Sequence, residues 1–207
     1  MDIIKKLAQE LAIKEEQAKA AVQLIDEGNT IPFIARYRKE MTGALNDETL
    51  RNLHERLLYL RNLEEKKEQV INAITDQGKM TEDLKKKILS AETLVAVDDL
   101  YRPYRPKKQT RATKAKEKGL EPLANILLLQ KTTKSMEEEA AAFVNAEKGV
   151  ANAKEAIAGA KDIIAEMIAD MADYRKSIRN CTMKQGSLVV KAKDEKAESV
   201  YEMYYDF

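Results

Sequence analysis

The stretch between Asn46 and Gly78 contains neither glycine nor proline and spaces its apolar residues at helical intervals, which restricts the fold more than any other feature. Leu50, Leu53, Leu57 and Leu60 alternate spacings of three and four, and Val70, Ile71 and Ile74 continue the pattern. This predicts one long helix, capped by Asn46 and stopped by Gly78. At about 1.5 Å per residue it spans roughly 45 Å. A helix of that length with one apolar stripe needs other elements, or a second copy of the chain, to cover the stripe. Its Glu-, Lys- and Arg-rich remainder reads as a solvated face.

The rest of the chain has the same bias. Only 7 Gly and 4 Pro interrupt 207 residues, and Ala, Leu, Glu and Lys dominate. A short helix is predicted from Asp2 to about Ala12, and a second from about Lys14 to Glu27, ending at Gly28. A third is predicted from Thr30, with Pro32 in its first turn, where a missing N–H costs nothing. In that third helix Ile34 and Tyr37 are expected to face inwards. Thr81 opens a helix through Leu84, Ile88 and Leu89, and Leu94 to Leu100 forms another apolar segment. Tyr101 to about Gln109 reads as an extended loop, because Pro103 and Pro106 remove donors and restrict the residues before them. A helix resumes near Thr110, Pro122 opens another after Gly119, and Ser135 with Glu138 forms a capping-box pattern for a helix through Phe143 and Val144. Asn152 to Asn180 reads as a second long helix with a side of small and apolar residues. Cys181 to Lys191 is the one candidate for a strand or hairpin, and a last helix is expected from Asp194 towards Tyr205. The expected fold is all-α: a multi-helix bundle with two long helices and at most one short β-hairpin near the C-terminus. Residues 1–119 form a first region, helix-turn-helix-like at its start, and 120–207 a second helical subregion continuous with it.

Lys and Arg total 36 against 35 Asp and Glu, so the net charge of +1 makes no global case for a polyanion partner. Any basic surface must be local. Cys181 is the single cysteine, which excludes an internal disulfide and suits a reducing, cytoplasmic setting with a buried or incidental thiol. The N-terminal MDIIKKLAQELAIKEE is broken by charges and lacks the apolar run of a signal peptide or membrane span. Catalysis has little to stand on. His54 is the only histidine, no Gly-rich loop is present to cradle a phosphate, and adjacent Asp98 and Asp99 point in different directions on a helix. The expectation is a chain with no enzymatic activity, no metal and no cofactor.

Two cationic segments remain. Arg102, Arg105, Lys107, Lys108, Arg111, Lys114, Lys116 and Lys118 face a single acid, Glu117, between residues 102 and 118. Each phosphate such a cluster neutralises releases condensed counterions, and Tyr101 and Tyr104 can stack on exposed bases. The competing reading docks the tyrosines and prolines on the helical core and leaves the cations solvated or paired. In IARYRKE, Arg36, Arg38 and Lys39 lie within one helical turn and form a second candidate phosphate contact. The competing reading there is guanidinium pairing with carboxylates of neighbouring helices.

GNTIPFIARYRKEMTG (Gly28 to Gly43) and DDLYRPYRPKKQTRATKAKEKGLEPLA (Asp98 to Ala124) closely resemble the N-terminal region of the bacterial Tex family of transcription accessory proteins. The spine LRNLHERLLYLRNLEEKKEQVINAI and the later AIAGAKDIIAEMIAD resemble it too, in the same order, so the resemblance covers nearly the whole chain. In that family an RNase H-like domain, helix-hairpin-helix elements and an RNA-binding OB-fold follow this region. None of them is in this sequence, and the chain is expected to be a piece of a longer protein. The resemblance implies a helical module that binds RNA or DNA without sequence preference through the basic loop, in the neighbourhood of the transcription machinery. The alternative is an architectural or protein-interaction scaffold that does not touch nucleic acid.

Overall fold

The computed structural model describes residues 2–106, 108–194, 196 and 198–205, and among these the regular elements are helical. The chain divides into two compact units, Met1–Arg105 and Pro106–Phe207.

The first unit holds six helices: α1 (Ile3–Glu10), α2 (Glu15–Asp26), α3 (Ile31–Tyr37), α4 (Asp47–Asp76), α5 (Glu82–Ser90) and α6 (Leu94–Tyr101). Their ends follow from local chemistry. Asp2, Asn46, Thr81 and Thr93 each accept a hydrogen bond from a backbone N–H in the first turn of the helix they precede. Gly28 (φ +85°) and Gly78 (φ +66°) close α2 and α4 in the left-handed region. The predicted spine is α4, and the stripe Leu50, Leu53, Leu57, Leu60, Leu63, Val70 and Ile74 is buried along it. Leu7, Ala21, Leu24, Ile34, Ile88 and Val97 from the other helices of the unit complete that core. Burial decides the arrangement: a fully buried leucine contributes roughly 1.5–3 kcal/mol, against about 0.3–0.5 kcal/mol for an exposed pair one turn apart such as Arg51–Asp47.

Two forked ion pairs fasten the short helices to the spine. Arg56 grips Glu10 of α1 with both Nε and Nη2, and Arg61 grips Asp26 of α2 with Nη1 and Nη2 at 2.8 and 2.7 Å. One residue on the stripe is polar. Lys67 is 2% exposed, and its ammonium donates to Glu64 Oε1 at 2.8 Å and to the Leu89 carbonyl at 2.9 Å, tying the end of α5 to α4.

The second unit holds α7 (Arg111–Glu117), α8 (Glu121–Leu129), α9 (Met136–Ala141), α10 (Ala153–Asp170) and α11 (Ala172–Gln185). Its core is built from small residues: Ala112, Ala115, Ala124, Ala140, Ala156 and Ala160 with Leu120, Leu123, Val150, Ile157 and Ile163. The capping box of Ser135 with Glu138 forms as the sequence predicts, though α9 ends at Ala141.

Three expectations give way here. The long helix from Asn152 to Asn180 breaks at Met171, whose ψ of 116° is extended; no glycine or proline marks the break, and Arg175 Nη1 donates to the freed Ala169 carbonyl at 3.4 Å. The strand candidate from Cys181 to Lys191 is not a hairpin. Residues up to Gln185 finish α11, and Leu188 and Val189 are 78% and 65% exposed, with no strand formed among the described residues. The last helix shrinks to one 3-10 turn, Glu202–Tyr204. Of the two readings of the Cys181 thiol, buried or incidental, its exposure removes the first. Among the described residues no helix is long and apolar enough to cross a membrane.

Candidate nucleic-acid interface

Helix α3 has seven residues, of which only Ile34 is fully buried. One inward anchor on so short a helix leaves the flanking positions outside. Phe33 and Tyr37, one turn apart, are 37% and 66% exposed, with ring centroids 5.2 Å apart at 45°. The expectation that Tyr37 faces inwards is therefore wrong: with Ile34 filling the contact, the ring three positions on lies over solvent. The Arg38 guanidinium sits 5.1 Å from the Phe33 centroid and donates to the Tyr37 carbonyl at 3.2 Å. Arg36 and Lys39 are exposed beside it.

The turn after α3 is held firmly. The Arg38 carbonyl accepts from the Met41 and Thr42 N–H groups, and that of Lys39 from Ala44 N–H at 2.7 Å. Thr42 is fully buried, and Gln17 Nε2 of α2 donates to the carbonyls of Thr42 and Gly43 at 3.2 and 2.9 Å. A Cβ at Gly43 (φ +61°) would stand 2.7 Å from that Nε2, so the lock closes only over glycine.

Arg36, Arg38 and Lys39 have no carboxylate within ion-pair distance among the described residues. Other arginines of this unit differ: Arg51, Arg56, Arg61 and Arg105 pair with Asp47, Glu10, Asp26 and Asp98. Pairing perturbs the acids. The Arg56 hydrogen bond holds the Glu10 carboxyl below its ordinary range, and Arg61 does the same to Asp26. Burial pushes the Glu64 carboxyl up, yet it stays lowered overall, the Lys67 hydrogen bond and charge being among the causes.

The run from Arg102 is less available than its charge suggests. Residues Arg102–Tyr104 form a 3-10 turn rather than an extended loop. Tyr101 and Tyr104 pack on the core of the first unit, and Gln77 Nε2 donates to the Tyr104 carbonyl at 3.0 Å. Arg105 bonds Asp98 at 3.0 Å and lies 5.6 Å over the Tyr101 ring, while Arg102, exposed, also has an interaction within the fold. Lys107 lies outside the described residues. Lys108 and Lys114 are exposed. Arg111 is 3.6 Å from Asp162 with its side chain 87% exposed, Lys116 is 3.7 Å from Glu121, and Lys118 donates to the Gly149 carbonyl at 2.7 Å. In the first unit the two candidate segments lie towards opposite ends of the spine: the turn after Lys39 leads directly into α4, whereas Tyr104 is tied to Gln77 just past its end. The Phe33–Tyr37 pair escaped sequence reasoning, although two aromatic residues four apart beside a single buried isoleucine are a visible signal.

The first unit is an all-α helical bundle built on one long spine, with a cationic and aromatic surface exposed on its third helix and the turn that follows. The chain belongs to the Tex family. Residues 1–75 match the Tex-like protein N-terminal domain, and residues 131–207 match the Tex central region-like family. Protein YhgF of Escherichia coli is 45% identical over 203 residues, covering 97% of this chain and 26% of YhgF. The transcriptional accessory protein Tex of Neisseria gonorrhoeae is 42% identical over 209 residues, covering all of this chain and 27% of that protein. The human S1 RNA-binding domain-containing protein 1 is 32% identical over 186 residues, 89% of this chain and 18% of its own length. The chain thus spans about a quarter of the bacterial relatives it matches.

Proposed function

We propose that this N-terminal portion of a Tex-type protein is a non-catalytic module that contacts nucleic acid without sequence preference, chiefly through Arg36, Arg38 and Lys39 of the first unit. The observation that carries this is their lack of carboxylate partners among the described residues, where other arginines of the unit are paired with acids. Cations without carboxylate partners break no ion pair when they meet phosphate, and exposed cationic side chains fanned over four residues favour backbone contact over base-edge readout. Lys108, Arg111 and Lys114 add phosphate contacts from the second unit, whereas Arg105 and the two tyrosines serve to dock their turn. The names of relatives agree: one is a transcriptional accessory protein, another carries an S1 RNA-binding domain. Fluorescence anisotropy with labelled RNA and DNA at low salt tests the reading. Saturable binding that weakens at least ten-fold in Arg36→Ala/Arg38→Ala/Lys39→Ala supports it; equal binding by the variant removes the patch from the interface.

A second reading, a protein-interaction scaffold, is favoured by α11, which buries no residue and exposes Tyr174 and Ile178 one turn apart at 49% and 66%. Its test is pull-down of RNA polymerase subunits with this chain, lost in Tyr174→Asp/Ile178→Asp.

A further inference from the structure

We propose that the cleft between α7 and α10 binds a small phosphate monoester with a compact apolar body, at a site that does not depend on the nucleic-acid reading above. Its walls follow from helical spacing. Arg111, Lys114 and Lys118, three and four positions apart, set a row of cations along one side of α7 and its C-terminal cap, and Glu155 and Asp162 line the cleft from α10. Ala115, Leu120 and Val150 close the bottom. On the α10 side Ala158 and Gly159 have no side chain long enough to cover that floor, so the cleft stays open. It holds about 270 Å³. The cationic wall from Arg111 to Lys118 is roughly 10 Å long at 1.5 Å per residue. A slot of that length takes one small molecule and is too short to seat a helix of several turns.

The occupant follows from charge and from which groups are already engaged. Lys148 stands at the same end of the cleft as Lys118: its ammonium is 3.7 Å from where a Cβ on Gly119 would lie, and that of Lys118 is 3.6 Å from the equivalent point on Gly149. Four cations against Glu155 and Asp162 leave a surplus of two positive charges, which a phosphate monoester dianion balances. The carboxylates are in use. Glu155 accepts from the Ala151 N–H at 2.9 Å and from Asn152 Nδ2 at 3.4 Å, and Asp162 faces Arg111 at 3.6 Å. The cations keep donors to spare: Lys114, exposed in the middle of the wall, has no carboxylate within ion-pair distance among the described residues. Lys118 gives one N–H to the Gly149 carbonyl at 2.7 Å and retains two. The phosphate oxygens thus meet Lys114 and Lys118, and the apolar body lies over Ala158, Gly159 and the aliphatic stems of the lysines.

The experiment titrates the chain with phenyl phosphate and follows its amide NMR signals, with inorganic phosphate as the head alone and phenol as the body alone. Saturable shifts confined to α7, the 148–150 turn and the first half of α10 are expected, with phenyl phosphate binding roughly ten-fold tighter than either fragment. Lys114→Gln should weaken it roughly ten-fold, as the loss of one charge-assisted hydrogen bond does. Ala158→Leu adds bulk at an exposed position of α10 and keeps every cation, so it should abolish phenyl phosphate binding while nucleic-acid affinity stays that of the wild-type chain. Leucine is a good helix former, and circular dichroism melting checks that both variants fold; if Ala158→Leu does not, Lys114→Gln gives the deciding comparison. Absence of saturable shifts, inorganic phosphate binding as tightly as phenyl phosphate, or wild-type binding by the variants overturns the site. No probe in this titration is a nucleic acid, so its failure is distinct from failure of the anisotropy test above.

Discussion

Gly159, in the middle of α10, is where the small-residue core of the second unit is closest. A Cβ added there would lie 2.4 Å from Leu120 Cδ1 and 3.2 Å from Ala115 Cβ, with Leu120 itself 1% exposed. Two effects oppose each other in Gly159→Ala. Helix propensity favours alanine by about 0.8–1 kcal/mol, while forcing a methyl into a packed core costs about 1–3 kcal/mol. Leu120 is buried and cannot swing into solvent, and Ala115 closes the other side, so the steric cost should win by roughly 1 kcal/mol. Leu120→Val withdraws the clashing Cδ atom. In that background the same Gly159→Ala change should stabilise by less than about 1 kcal/mol, because the propensity gain is then opposed only by the 3.2 Å approach to Ala115. Urea unfolding followed by helical circular dichroism measures the cycle, with hydrogen exchange in α10 assigning the transition to this unit. Stabilisation by Gly159→Ala in the wild-type background, or the same sign in both, would refute the packing argument.

Lys67→Met keeps the volume on the stripe of α4 but leaves the Leu89 carbonyl without its Lys67 donor, and should cost about 1–3 kcal/mol in urea unfolding. Glu10 and Asp26 have depressed folded pKa values, so their pairs with Arg56 and Arg61 contribute fully above the unfolded carboxylate range of about 4 and are lost as pH falls through the folded values. Urea midpoints should accordingly drop from pH 7 to pH 3, and Glu10→Gln/Asp26→Asn should flatten that drop, the effect being small because the pairs are partly solvated. Arg105→Ala should leave nucleic-acid affinity within about two-fold while loosening the 102–105 turn, seen as faster hydrogen exchange there, because Arg105 is already engaged by Asp98 and Tyr101.

Sequence and structure agree best where one local rule decides the outcome. The leucine stripe of α4, the caps at Asp2, Asn46 and Thr81, and the stops at Gly28 and Gly78 depend on residues within a turn of each other, and all were legible. Lys67 was not read as core, although it falls four residues after Leu63 and three before Val70; only the distant Leu89 carbonyl explains why a charge is tolerated there. The break at Met171 has no local mark at all. Among the cations, charge density pointed to residues 102–118, yet Arg105 is held by Asp98, seven residues before it across the turn after α6, whereas Arg38 has no carboxylate within ion-pair distance among the described residues. Tyr37 was misplaced because its side is set by the single contact at Ile34.

The salt dependence of binding tests the central claim most directly. Titrations of the wild-type chain and of Arg36→Ala/Arg38→Ala/Lys39→Ala on single-stranded RNA across a salt series yield two log–log slopes, and three lost phosphate contacts should make the variant's slope shallower by about 2. Parallel slopes with equal affinities would contradict the assignment of the α3 surface as the contact.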